Sequence, residues 1–391
     1  MNSSMIETGR RLPRWLLFFC CSAAASAQIH GRFYLEKEAF AQGEPVFLYF
    51  EASNSGGEPV DIVNSNPYAF CAGYDIQVSS DPKPGSSCAR GQAGSCLLGS
   101  MTLQPGAKHT EQILVNYEHQ ISSSGDYVIE ARRHLNYGLR PPFGPSVEFS
   151  ERLHFFVDGN SQYNSAELQK WVAQAQSKDD RIRWEAARTL ASLAPLSLED
   201  TLLNLFGKAE FSSLAPLAFH RLNTPRAIAA LAEFVKSTPA QTGESIQAAR
   251  FLAETGDPQW FPLLLEMAEQ HPRGGYLPDA AESGGERALP VLLEGMRSNV
   301  EYDRQSAIAA VGYTGSRDVV PILISLLNGS DTNTVEGAIY GLQLLTHRRP
   351  VTDAQPQAQY GQWLAWWSRH NRDAAIYKPT NCGDLVPLNK D

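Results

Sequence analysis

A glycine followed six residues later by a proline occurs three times in the second half of the chain, and this repeat constrains the fold most. The pairs are Gly256 with Pro262, Gly284 with Pro290, and Gly315 with Pro321. Glycine readily takes the left-handed conformation that ends a helix, and proline is favoured in the first turn of the next helix. A run rich in Leu, Ile and Val accompanies each proline. The pattern therefore predicts short helix pairs that bury their apolar faces against neighbouring pairs.

The three glycines are 28 and 31 residues apart, and less regular copies of the pattern begin near Arg181 and Thr224. We therefore expect helical repeats from 163 to 349. The three segments resemble HEAT repeats, in the short form of about 30 residues found in the PBS-lyase-like group. This resemblance implies an α-solenoid that binds proteins along a concave surface. It does not imply the bilin-lyase activity of part of that group, because a secretion signal and a β-rich domain do not fit that activity.

From 28 to 158 the apolar residues alternate, as in Val46-Phe47-Leu48-Tyr49-Phe50-Glu51-Ala52. Alternation predicts strands with one buried and one solvated face. The expected strands lie near 31–40, 45–53, 58–63, 73–79, 110–117, 126–134 and 147–157. About seven short strands separated by turns predict an antiparallel β-sandwich ahead of the helical repeats.

Two resemblances accompany this β-sandwich prediction. Gly125-Asp126-Tyr127 resembles the tyrosine corner of immunoglobulin-like domains, although Ile129 stands where antibody domains have a cysteine. The turns Gly43-Glu44-Pro45-Val46 and Leu103-Gln104-Pro105-Gly106 are among the segments that resemble the BsuPI family of small proteinase-inhibitor domains. The first resemblance implies an Ig-like fold. The second implies inhibition of a proteinase through loops around 64–72 and 81–100, which stands as an alternative function.

Residues 1–27 have the features of a secretory signal peptide. Arg10, Arg11 and Arg14 precede a short apolar run, and Ala25-Ser26-Ala27 matches the small-residue rule for cleavage before Gln28. A membrane anchor or a buried helix is the alternative, but the apolar run is shorter than the roughly 20 residues that a membrane span needs. We expect export to the periplasm or the exterior, with no transmembrane segment after cleavage between Ala27 and Gln28.

Cleavage would leave four cysteines: Cys71, Cys88, Cys96 and Cys382. An even number of cysteines in an exported protein predicts disulfides. A glycine-containing loop separates Cys88 from Cys96, which favours that pair and leaves Cys71 for Cys382, although the sequence alone allows three pairings. Zinc binding is the competing interpretation, but the spacing differs from that of common zinc sites and no histidine cluster lies nearby.

Residues 357–391 are expected to form a C-terminal capping helix and tail. Tyr360, Trp363, Leu364 and Trp367 fall on one face of a helix. We interpret this face as a cap on the last repeat, since solenoids need their ends covered. An aromatic platform that includes Trp366 and binds carbohydrate or peptide is the alternative.

The charges and motifs exclude several classes of function. The chain has 33 Lys+Arg against 42 Asp+Glu, a net charge of −9, whereas nucleic-acid-binding proteins need a basic face. It lacks H-E-x-x-H, G-x-S-x-G and G-x-G-x-x-G. We therefore expect no catalytic residue, cofactor or metal. The sequence predicts a non-enzymatic exported scaffold that binds a protein partner, with an enzyme of unrecognised type as a further alternative.

Overall fold

A computed structural model describes residues 29–65, 73–80, 85–86, 98–137, 145–240, 242–272, 275–348, 356–379 and 385–388. The predicted signal peptide with its cleavage site at Ala27 and Gln28 lies outside the described residues, as do Cys71, Cys88, Cys96 and Cys382. Signal cleavage and disulfide pairing therefore stay predictions.

The first part of the described chain is rich in strands. These are β1 (Ile29–Leu35), β2 (Ala39–Gln42), β3 (Phe47–Asn54), β4 (Val60–Ser65), β5 (Tyr74–Ser80), β6 (Gly85–Ser86), β7 (Leu98–Leu103), β8 (Lys108–Leu114), β9 (His119–Gln120), β10 (Gly125–Asn136) and β11 (Ser146–Gln162). A short helix, α1 (Val115–Glu118), lies between β8 and β9.

The strands form a three-stranded sheet in the order β1-β3-β8 and a four-stranded sheet in the order β2-β11-β10-β5. Strand β4 pairs with β7, and β6 pairs with β9. All these pairs are antiparallel except β2 with β11, which is parallel. Side chains of both larger sheets share one buried apolar cluster that includes Phe33, Phe50, Ile129 and Phe155. The hydroxyl of Tyr127 donates to the Ser123 carbonyl over 2.8 Å, a bond of the kind that a tyrosine corner makes.

The strands differ from the sequence prediction in four places. The strand expected over 31–40 is two strands, because the chain leaves the first sheet after Leu35 and joins the second at Ala39. The strand expected over 110–117 ends at Leu114, where consecutive burial of residues 113–117 replaces the alternation of a strand. Strand β7 was not among the predicted strands, and β11 continues to Gln162, beyond the strand end predicted at 157.

Helices make up most of the second part. They are α2 (Ser165–Gln174), α3 (Asp180–Leu193), α4 (Glu199–Phe206), α5 (Ala215–Leu222), α6 (Pro225–Ser237), α7 (Gly243–Glu254), α8 (Phe261–Gln270), α9 (Leu277–Gly284), α10 (Leu289–Gly295), α11 (Glu301–Val311), α12 (Val320–Leu326), α13 (Thr332–Thr346) and α14 (Pro356–His370). Two short strands, β12 (Tyr377–Pro379) and β13 (Leu385–Pro387), pair near the end of the chain.

Six of the helices form a row, and five others pack along it as a second row. Helices α3, α5, α7, α9, α11 and α13 each contact the next in this series, and we call them the odd row. Helices α4, α6, α8, α10 and α12 each pack on the odd-row helix that follows them in the chain. One continuous apolar cluster runs through both rows. None of the helices among the described residues is both long enough and apolar enough to cross a bilayer.

The repeat-defining glycines and prolines lie at helix ends. Gly256 and Gly315 have φ angles of 67° and 68°, and Pro262, Pro290 and Pro321 lie in the first turns of α8, α10 and α12. Gly284 differs from the prediction, because it has an ordinary helical φ and the next residue, Gly285, takes the positive φ of 53°. A Cβ at Gly284 would lie only 2.5 Å from the Phe261 ring, so glycine is needed there for close packing.

Helix α14 packs on α12 at the end of the rows. Its Trp363 is 2% exposed, and Tyr360, Trp366 and Trp367 pack partly buried against the same apolar cluster. The predicted face is wrong at Leu364, which is 46% exposed. Trp366 takes its place, with its ring 5.6 Å from the ring of Trp363 and almost perpendicular to it.

Candidate functional site

The β-rich part and the helices are packed directly against each other. Leu114 and Tyr117, around helix α1, belong to the apolar cluster of the helices. The ring of Phe47 on β3 lies 6.2 Å from the ring of Trp171 on α2. Asn116 accepts a hydrogen bond from the Val46 backbone N–H over 2.6 Å, which fixes α1 to the start of β3. This junction therefore has its own buried contacts.

Two cavities open along the junction. The larger has a volume of about 750 Å³, and its lining residues include His220, Glu254, Asp257 and Trp260. The smaller has a volume of about 430 Å³, and its lining residues include Gln42, Asn116, Tyr163 and Ser192. Both are lined by Gln120 of β9 and Arg221 of α5. We call the two cavities together the junction groove, since they adjoin at this shared pair.

His220 lies in the larger cavity with its ring stacked on Phe251. The ring centroids are 4.0 Å apart and the planes are nearly parallel. Burial and, to a lesser extent, the neighbouring charge of Arg221 together lower the pKa of His220 to about 4. Glu254 Oε2, 3.5 Å from His220 Nε2, favours the charged form, but burial and Arg221 outweigh it. The imidazole is therefore neutral at physiological pH.

Arg221 is the most unusual group of the junction groove. The residue is 9% exposed, and its Nη2 donates to the carbonyl oxygen of Asn116 over a long 3.4 Å. Its Nε is buried without a hydrogen-bond partner. No carboxylate among the described residues forms an ion pair with it. Burial lowers the pKa of Arg221 to about 10, so the guanidinium stays charged although its surroundings oppose the charge.

The two cavities differ in charge. The larger contains the carboxylates of Glu254 and Asp257 together with Arg221. Among the described lining residues of the smaller, Arg221 carries the only formal charge, and the polar groups around it are mainly amides and hydroxyls. The junction groove thus has an acidic end and an end with one buried cation.

A second polar cluster lies on the odd row, beyond the junction. Asp279 and Glu282 of α9 are both almost completely buried. Burial raises the pKa of Asp279 well above its usual range, and Glu282 adds to this while Arg250 of α7 opposes it. The hydroxyls of Tyr313 and Tyr340 lie 3.0 Å apart. Burial of both carboxylates makes this cluster part of the packing between helices. Across the described residues, no three His, Cys, Asp or Glu side chains gather in a way that could hold a metal ion.

The residues singled out from the sequence lie outside the junction groove. The glycines and prolines of the repeat are at helix ends, and none is among the described lining residues of either cavity. The aromatic cluster of Tyr360, Trp363, Trp366 and Trp367 lies on α14, at the opposite end of the helical rows from the junction. Sequence reasoning did not find Arg221 or His220. The signal was present, since Arg221 stands four residues after Leu217 on the buried face of α5, where an apolar residue is expected.

Comparison with known proteins does not assign the chain to a family. No protein-family model matches the chain, and no curated protein matches it. A solved complex of CpcE and CpcF of phycocyanin lyase from Nostoc sp. PCC7120 aligns with 53% of this chain and 96% of its own, at 14% identity and a TM-score of 0.31. At this score the match identifies neither a family nor an activity for the chain.

Proposed function

We propose that this chain is an exported, non-enzymatic scaffold that binds a protein partner in the junction groove. In this proposal the two sheets form an Ig-like β-sandwich, which their shared core of apolar side chains supports. The helices form a solenoid of HEAT-like repeats, which the contacts of each odd-row helix with the next support.

The single observation that carries the proposal is the junction groove itself. It lies between two parts of the chain, and sites between domains are common positions for binding. Its two cavities of about 750 and 430 Å³ share Gln120 and Arg221, so they offer one extended space. An extended segment of a partner fits such a space, because the amides of Gln120, Asn223 and Gln259 can both donate to and accept from a peptide backbone.

No observation among the described residues favours the two alternatives, a proteinase inhibitor or an enzyme. Most of the loops proposed for inhibition, around 64–72 and 81–100, lie outside the described residues.

Site-specific crosslinking tests the binding proposal. A photo-crosslinking amino acid at Gln259, an exposed lining residue of the larger cavity, should attach to one identified partner at a reproducible peptide. The matched control is Glu294, an exposed residue of α10 that does not line the groove. A crosslink pattern that is the same at both positions, or no adduct at Gln259 in cells that produce the protein, would contradict the proposal.

The export proposal needs its own measurement. If the signal is cleaved as the sequence predicts, the mature protein begins at Gln28, and its intact mass lacks residues 1–27. Mass spectrometry of the protein from the producing cell gives this directly. A chain that retains Met1 and stays in the cytosolic fraction would refute export.

A further inference from the structure

We propose that Arg221 and Gln120 form a carboxylate-binding subsite in the smaller cavity of the junction groove, and that the carboxylate belongs to a peptide. This inference deepens the proposed function, because it names the chemical group by which the partner is anchored.

The first step is the state of the Arg221 side chain. A guanidinium that is nine-tenths buried is costly unless an anion or several hydrogen bonds offset the lost hydration. Arg221 has one long hydrogen bond to the Asn116 carbonyl, a buried Nε with no partner, and no ion pair with a described carboxylate. An anion bound in the cavity that Arg221 lines would compensate the charge of the guanidinium, which no described residue does.

The second step concerns the cavity around Arg221. The smaller cavity, at about 430 Å³, falls within the range of small-ligand sites. The side-chain amide of Gln120 lines it beside Arg221 and makes no hydrogen bond to any described residue. The amide N–H of Gln120 and the guanidinium N–H groups are donors, and a carboxylate accepts from both.

The third step distinguishes a carboxylate from a phosphate. The smaller cavity has one formal positive charge among its described lining residues, which balances a monoanion. The adjacent His220 adds no second charge, since it is neutral near pH 7. A phosphate dianion would leave about one uncompensated negative charge in the cavity. The carboxylates of Glu254 and Asp257 at the acidic end of the groove would also repel it.

The fourth step connects the anion to a peptide. The acidic end of the groove suits a positively charged group, and the other end suits a carboxylate. A peptide segment can carry both groups and present backbone amides between them. A free C-terminus and an acidic side chain provide the same carboxylate chemistry.

The experiment is calorimetric titration of the full mature chain with N-acetylalanine, with its uncharged amide and with inorganic phosphate. The acid should bind with a Kd on the order of 1 mM, as a weak fragment does, and the amide at least about tenfold more weakly. Arg221→Met should weaken binding of the acid at least about tenfold. Arg226→Met is the matched control, because Arg226 is an exposed arginine of α6 outside the cavity lining and should leave binding unchanged.

Three outcomes of the titration overturn the subsite. Equal binding of the acid and the amide, tighter binding of phosphate than of the acid, or no binding of the acid to the wild-type chain would each refute it. Should Arg221→Met fail to fold by circular dichroism, Gln120→Leu replaces it and should weaken binding of the acid several-fold. Binding of the probe without a specific crosslink at Gln259 would reject the proposed function but keep the subsite, and the reverse result would reject only the subsite.

Discussion

The buried imidazole of His220 makes the stability of the fold depend on pH. Burial lowers the pKa of His220 from 6.5 to about 4, and Arg221 contributes in the same direction. In the unfolded chain the ring takes up a proton near its ordinary pKa, so the unfolded state binds more protons between these two values. The stability that neutral His220 contributes is therefore complete above about pH 6.5 and is lost as the pH falls through about 4.

The size of this effect follows from the two pKa values. The change from 6.5 to about 4 corresponds to about 3 kcal/mol of unfolding free energy. Of this, about 2.5 kcal/mol is lost between about pH 7.5 and about pH 4.5. His220→Phe should remove this loss, because phenylalanine keeps a ring to stack on Phe251 and cannot take up a proton.

Urea unfolding of both proteins at the two pH values, followed by helical circular dichroism, measures the effect. The variant should lose about 2.5 kcal/mol less than the wild type on acidification. Phe206→Leu is the control, because Phe206 is a buried ring that packs on Phe211 and not on His220, so its loss should lower the unfolding free energy by about 1–2 kcal/mol at both pH values. Equal pH dependence in His220→Phe and the wild type would refute the reasoning.

Three further predictions concern the helices. Gly315→Ala should lower the unfolding free energy by about 1–2 kcal/mol, because φ is 68° at this position. Gly361→Ala should raise it by about 0.5–1 kcal/mol, because Gly361 lies within α14 and has open space for a Cβ. Denaturant titrations measure both free energies, and equal effects of the two substitutions would contradict the left-handed role of Gly315. Asp279→Asn should stabilise the chain near pH 7 but not at a pH well below 4. The pKa of Asp279 is raised in the folded chain, so the folded state loses stability as the pH rises and the carboxyl group ionises. Thermal melts across this pH range check the sign. Trp363→Ala should lower the unfolding free energy by about 3 kcal/mol or more, and a change near zero would show that α14 does not cover the end of the helical rows.

The local pattern of the sequence was sufficient for the parts of the fold that depend on neighbouring residues. The prolines at 262, 290 and 321 begin helices because their fixed φ and missing N–H fit the first turn wherever the rest of the chain goes. The local pattern did not predict the conformation of Gly284. Two adjacent glycines could each end α9, and the ring of Phe261, a residue from another helix, leaves no room for a Cβ at Gly284.

The candidate site could not be predicted in the same way, because it depends on contacts between distant parts of the chain. Gln120 and Arg221 are about 100 residues apart and meet only after the β-rich part packs on the helices. Helix α1 was missed for the same reason, since Leu114 and Tyr117 are buried against helices that follow much later in the chain. The sequence alone shows that Arg221 lies on an apolar helix face. It does not show that Gln120 lies next to it across the junction.

Strand β11 runs on to Gln162, and only Tyr163 and Asn164 separate it from α2. Gln162 pairs with Gln42 of β2, and the Tyr163 N–H donates to the Gln42 carbonyl over 3.0 Å. The helices are therefore joined to the sheets by a short, hydrogen-bonded connection and not by a long loop. The position of Tyr163 beside Gln42 therefore depends on backbone pairing with the four-stranded sheet and not on the length of a loop.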